Sequence, residues 1–141
     1  MYKDILLTID LDQDASWEKA LPTALEYANS FGANLHVMTV VPPFGMSIVG
    51  QFFPSDYEKQ VLDAAMKALK DFVKTNVPNG RKVQHIVAQG TVYEEIIDTA
   101  QKIGADLIII AAHGPRLQDY LLGPNAARVV RHSDRAVLVV R

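Results

Sequence analysis

The chain has 141 residues, a length suited to one domain over 1–141, and no cysteine, which excludes thiol catalysis, disulfides and thiolate metal sites. Its formal charge is −2, from 14 Lys and Arg against 16 Asp and Glu, and no basic tract stands out, so no nucleic-acid surface is expected. MYKDILLTID lacks a signal-peptide core, and no stretch nears the roughly 18 apolar residues of a membrane helix, so a cytoplasmic chain without membrane insertion is expected.

Ile5 to Ile9 form an apolar, β-branched run ending at Asp10 and the acidic LDQD, which predicts a buried strand and a turn. Ser16 is placed to cap the next helix, where Leu21, Ala24, Leu25 and Ala28 recur at helical spacing until Gly32. Pro22 should bend the first turns of that helix or move its start later. Leu35 to Val41 predicts a second strand, stopped by Pro42 and Pro43. The following FGMSIVGQFFPSD is a poor regular element, and its bulky apolar side chains suit a flap over a pocket or a partner surface.

Ser55 and Glu58 make a capping box ahead of a long helix, with Val61, Leu62, Ala65, Met66, Leu69, Phe72 and Val73 along one face. PNG at 78–80 ends it, and Val83 to Val87 predicts a more polar third strand, expected near a sheet edge. Thr91 and Glu94 form a second capping box before Ile96, Ile97, Ala100 and Ile103, and Gly104 closes that helix. Leu107 to Ile110 and Val137 to Val140 are the fourth and fifth strands, with a short helix between them.

Apolar strands alternating with helices predict an α/β fold: a five-stranded parallel sheet, doubly wound, with helices on both faces. If the first three strands build one way and the last two the other, strands one and four become neighbours. Asp10 and the 111–123 loop would then flank one crevice, where ligands of such sheets collect.

The segment AAHGPRLQDYLLGPNAARVV, residues 111–130, leaves the fourth strand through Gly114 and Gly123, which flank eight residues. Pro124 suits the first turn of a helix, whose remaining amides and positive end could hold a phosphate. Turn chemistry alone is the commoner reason for two such glycines, and neither GxxxxGK[ST] nor a GxGxxG after the first strand is present.

The chain nevertheless resembles the universal stress protein (UspA-like) family along nearly its whole length. ILLTID resembles the family's first strand and aspartate, and GADLIII its entry to the fourth strand. LLGPNAARVVRHSDRAVLVVR resembles its usual ending. The family motif after the fourth strand is a glycine, two residues, a glycine, about nine residues, then glycine with serine or threonine; AAHG, eight residues and GPN stand there in this chain. The resemblance is closest to an ATP-binding subgroup with a shortened glycine loop.

The resemblance implies an ATP-binding stress-response or regulatory protein, in which nucleotide bound at the switch-point crevice modulates a partner. Asp10 would meet the nucleoside, and Thr39 and Val40 would lie along adenine. Gly114 and Gly123 match two of the motif glycines, and Ala111, Pro124, Asn125 and Ala126 stand beside them at the phosphate end, with Mg2+ carried on the triphosphate; from their own chemistry, His113 could touch a ribose or phosphate or equally bond the loop backbone, and Arg116 could fold inward to a phosphate. Ala111 stands in place of the first motif glycine and Pro124 in place of the hydroxyl residue. The proline removes an amide donor and a hydroxyl, a loss of about 1.5–3 kcal/mol for a bond to a charged group. Asn125 can supply a side-chain donor in compensation.

A homodimer through the C-terminal strand is expected from the same resemblance, as is a regulated protein partner, with a transporter as one candidate. The alternative is a nucleotide-independent dimeric interaction protein on the same fold, favoured by Ala111, Pro124 and the bulky 44–53 segment. No catalytic residue is assigned: the chain has no GxSxG, no assembled triad and no lysine clamp, so slow ATP hydrolysis is the most expected of it. His36 and His85 sit in separate strands without neighbouring ligands, and no metal site is assigned to them.

Overall fold

The computed structural model describes residues 1–42, 56–112 and 122–141. Five parallel strands form one sheet: β1 (Asp4–Thr8), β2 (Asn34–Val41), β3 (Val83–Gln89), β4 (Leu107–Ala111) and β5 (Ala136–Val140). Their order is β3-β2-β1-β4-β5, so β1 lies between β2 and β4 and the chain reverses its direction of growth there. The expected adjacency of strands one and four is present, with Ile5 opposite Leu107 and Leu7 opposite Ile109. The more polar β3 is an edge strand, as its composition predicted.

The helices are α1 (Ala20–Phe31), α2 (Tyr57–Asn76), α3 (Val92–Ile103) and α4 (Leu122–His132), preceded by a 3-10 turn at Asp14–Ser16. Strand alternation sorts the side chains into two cores. Ile5, Leu7, Leu35, Val37 and Ile109 meet Leu21, Ala24 and Ala28 of α1 and Leu69 and Val73 of α2. Leu6, Met38, Ile108 and Ile110 meet Ile96 and Ala100 of α3 and Ala126 and Val129 of α4. The central strands β1 and β4 are therefore buried on both faces, which explains why they read as unbroken apolar runs, while the edge strands β3 and β5 are half-buried.

Several local expectations change. Ser16 does not cap α1; it ends the 3-10 turn, and α1 begins four residues later with Lys19 at its N-cap and no side-chain cap bond. The 3-10 turn takes over the capping task, because the Leu21 amide donates to the Trp17 carbonyl at 2.9 Å. Pro22 is then the third residue of α1, where no intrahelical donor is needed. Thr91 does occupy the N-cap of α3, but without a side-chain bond, and Glu94 accepts from the Tyr93 hydroxyl instead of closing a box. Asp56 is the N-cap of α2; Ser55 lies outside the described residues. Gly32 and Gly104 end α1 and α3 at φ 63° and 69°, the left-handed turn that a side chain resists.

The long apolar face expected on α2 is buried only in its second half, at Leu69 and Val73, while Val61, Leu62, Ala65 and Met66 are half-buried. The strand β2 ends near Val41, so the first half of α2 overhangs the carboxyl ends of the strands and has less sheet to pack on.

Two histidines behave as structural groups. His36 Nε2 lies 3.0 Å from Asp4 Oδ1, and its Nδ1 pairs with Gln84. The hydrogen bonds from His36 and then Asn34 hold the Asp4 carboxyl below its usual range. His85 on β3 is pushed down, first by burial and second by Lys70. Sign follows directly: the folded state disfavours the imidazolium, so the unfolded chain binds more protons between the depressed and the ordinary value of about 6.5. Stability is full above about pH 6.5 and falls as the pH drops through the depressed folded value. Urea unfolding at a series of pH values should show that fall, and His85→Gln should flatten it; an equal slope in the variant would remove His85 as its source.

Candidate functional site at the carboxyl ends of β1 and β2

At the end of β1 the chain does not turn away at once. The Ile9 amide donates to the Met38 carbonyl at 2.9 Å, holding the chain beside β2 for one more residue. Asp10 is then fixed from three directions. Its amide donates to Ser16 Oγ at 2.9 Å, and its Oδ1 accepts the Asp12 amide at 3.0 Å. Ser16 Oγ also lies within donating distance of the Asp10 carbonyl, at 2.8 Å, and the Gln13 carbonyl, at 2.7 Å. Ser16 is fully buried, so this knot is protected from water and the half-exposed Asp10 side chain is held in one place.

A crevice of about 520 Å³ opens here. Its floor comes from the sheet: Thr8 and Ile9 from the end of β1, and Thr39, Val40, Val41 and Pro42 from the end of β2. Asp10, Leu11 and Asp12 form one rim. Ala64, Ala65 and Ala68 of α2 make one wall, and Val92 of α3 and Asn125 of α4 make the other. The volume is in the range that takes a nucleotide-sized molecule. Two helices, α3 and α4, begin at the crevice, so the positive ends of both dipoles face it.

The crevice is mostly apolar with few polar groups. Thr8 and Thr39, 3% and 6% exposed, supply its buried hydroxyl-bearing side chains. Thr39 shares a sheet face with Val37 and Val87, toward α1 and α2, whereas Thr8 sits with Met38 and Ile110 on the α3 and α4 side. No group of three or more acidic, histidine or cysteine side chains suited to a metal occurs among the described residues. A divalent ion here would need ligand oxygens from a phosphate in addition to Asp10 or Asp12.

Of the sequence-derived candidates, Asp10, Thr39, Val40 and Asn125 meet in this one crevice. Ala111 and Ala126, each 4% exposed, are packed in the sheet and core. Gly123 and Pro124 are in the first turn of α4, with Pro124 exposed. His113, Gly114 and Arg116 lie outside the described residues, as do Tyr120, Leu121 and the 44–53 segment. Arg128 is exposed with its guanidinium 5.3 Å from the Tyr93 ring centroid. The α2 alanines, Leu11 and Val92 were not among the candidates. The only sequence signal for the alanine wall is three small residues at helical spacing on an otherwise bulky face.

Residues 1–141 match the universal stress protein family. The chain belongs to that family. A universal stress protein G from Escherichia coli O157:H7 is 30% identical over 144 residues, spanning 100% of both chains. The solved universal stress protein UspA from Lactobacillus plantarum is 25% identical, with a TM-score of 0.72 over 99% of this chain and 98% of that one. A universal stress protein from Archaeoglobus fulgidus, solved in complex with dAMP, is 20% identical, with a TM-score of 0.61 over 99% and 98% of the two chains. At that last identity the likeness is one of fold.

Proposed function

We propose that this universal stress protein binds ATP in the crevice at the ends of β1 and β2 and uses the nucleotide to modulate a protein partner. The observation that carries the reading is the meeting of Asp10, Thr39, Val40 and Asn125 around one largely apolar crevice at the switch point of the sheet. Asp10 offers its carboxylate to the ribose or adenine, Thr39 and Val40 run beside the base, and Asn125 and the start of α4 attract the phosphates. Ala111, His113, Gly114, Arg116, Gly123, Pro124 and Ala126 complete the proposed cradle, with Mg2+ arriving on the triphosphate. The dAMP-bound protein from Archaeoglobus fulgidus supports the fold's capacity for an adenine nucleotide.

The reading extends to a cytoplasmic homodimer joined through β5, a sheet edge with half-buried Val137–Val140, and to a regulated partner of which a transporter is one candidate. Sedimentation across a concentration series reads the dimer, and a monomer throughout removes it. No catalytic residue is proposed beyond slow hydrolysis. The second reading, a nucleotide-independent interaction protein, draws on Pro124, which lacks the amide that the first turn of α4 would otherwise offer.

Asp10→Asn tests the assignment while keeping the Oδ1 that accepts the Asp12 amide. The variant should bind ATP about tenfold more weakly by calorimetry, because a charge-assisted bond to the ligand becomes a neutral amide contact. Equal affinity in parent and variant would remove Asp10 from the site.

A further inference from the structure

We propose that the outer face of α4, centred on Arg128 and Arg131, docks an acidic segment of a protein partner. The proposal gives a chemistry to the partner of the nucleotide reading above and rests on that reading only for the link between the two, because the docking face lies outside the crevice.

Charge singles this face out. Residues 122–141 hold four arginines, no lysine and one acid, Asp134, a formal charge of +3 in a chain of −2. The rest of the chain therefore carries −5, and all eight lysines are there. Arginine alone among the cations presents a planar fork of donors that pairs both oxygens of a carboxylate. Arg141 stands apart at the carboxyl end of β5, whereas Arg128, Arg131 and Arg135 follow α4 and the turn behind it.

The fold leaves two of these charges unpaired. Ala126 and Val129 form the buried face of α4, while Ala127, Arg128, Val130 and Arg131 are exposed. Arg128 and Arg131 are three residues apart, so they are neighbours on the helix surface. The Arg128 guanidinium is steadied 5.3 Å from the Tyr93 ring centroid, with the His132 ring 5.8 Å from the same centroid. The acids around them are engaged elsewhere. Asp134 Oδ1 lies 3.2 Å from Arg135 Nε; on the adjacent α3, Asp98 pairs with Lys102 at 2.8 Å and Glu94 accepts the Tyr93 hydroxyl at 3.2 Å. Among the described residues neither Arg128 nor Arg131 has an ion-pair partner.

Size and composition select the occupant. The 11 residues of α4 span about 16 Å, the length of about five residues of extended peptide. A nucleic acid would run past this ridge onto a surface of net negative charge. A bilayer would meet one large exposed apolar side chain on α4 among the described residues, Val130 at 52% exposure, which is too little to insert. An acidic segment with an apolar residue among its carboxylates meets both the arginines and Val130. The same helix begins at the crevice, where Asn125 lines the wall, so nucleotide and docked segment bear on one element.

The test uses the full chain without nucleotide and a fluorescein-labelled polyglutamate peptide with one central leucine, read by anisotropy at low salt. Arg131→Gln should weaken binding about threefold and Arg131→Glu at least about tenfold, with melting midpoints close to the parent's. Lys67→Glu, the same charge reversal at an exposed position of α2, should change binding by less than about twofold. Failure of the parent to bind, equal binding by Arg131→Glu, or an equal loss in Lys67→Glu would overturn the docking face. Tighter binding of an oligothymidylate of equal charge, or of phosphatidylserine vesicles, would overturn the choice of partner. Each of these outcomes leaves the crevice untouched, and absence of ATP binding by the parent would remove the nucleotide link while leaving the docking face in place.

Discussion

Ile108→Ala should cost about 3–4 kcal/mol of folding stability, the largest effect expected of a single core substitution here. Ile108 is fully buried in β4, between Leu6 of β1 and Val137 of β5, and belongs to the core under α3 and α4. Truncation removes three carbons from a site framed by strands on both sides. The strands are held by their ladders and the helices by Ile96, Ala100 and Val129, so the cavity cannot close by local collapse. Denaturant unfolding should show a lower midpoint with an unchanged slope, since the surface exposed on unfolding barely alters. A loss under about 1 kcal/mol would mean that the sheet relaxes more freely than its buried central strands imply.

Val92→Trp should reduce ATP affinity by at least about a hundredfold while leaving the fold intact. Val92 is the first residue of α3, half-buried, and borders the crevice on the wall opposite α2. A first-turn helical position accepts an indole without disturbing the α3 ladder, and the added bulk has the crevice as its open direction. Calorimetry reads the affinity and circular dichroism the fold. Folded Val92→Trp protein that binds ATP as the parent does would place the ligand elsewhere.

The sheet was largely legible because its central strands are buried on both faces. Leu107 to Ile110 and Ile5 to Ile9 stand out as apolar runs, and the polar composition of β3 marked it as an edge. Strand boundaries moved by one or two residues, since the ladder extends past the apolar run, as at Gln89, or stops inside it, as at Thr8.

Side-chain roles in loops were harder to read. A serine two to four residues before a helical pattern looks like a cap, but the Ser16 hydroxyl serves the Asp10 backbone. Local capping and loop-closing bonds use the same residue types at similar spacing, so only the loop's path separates them. The alanine wall was hidden for a different reason. Helical periodicity puts Ala65 on the packed face of α2, and periodicity carries no information about where the sheet beneath that face ends. Thr39 and Val40 of the crevice floor, Asp10 of its rim and Asn125 of the α4 wall were among the sequence candidates; the α2 wall was not.

The most direct measurement of the central claim is a calorimetric titration of nucleotide-free chain with ATP. Binding in the crevice predicts saturating heat at about one ATP per chain, with stabilisation of about 2.7 kcal/mol once ATP reaches a hundred times its dissociation constant. No heat up to millimolar ATP, from a chain that unfolds cooperatively and is therefore native, would contradict it.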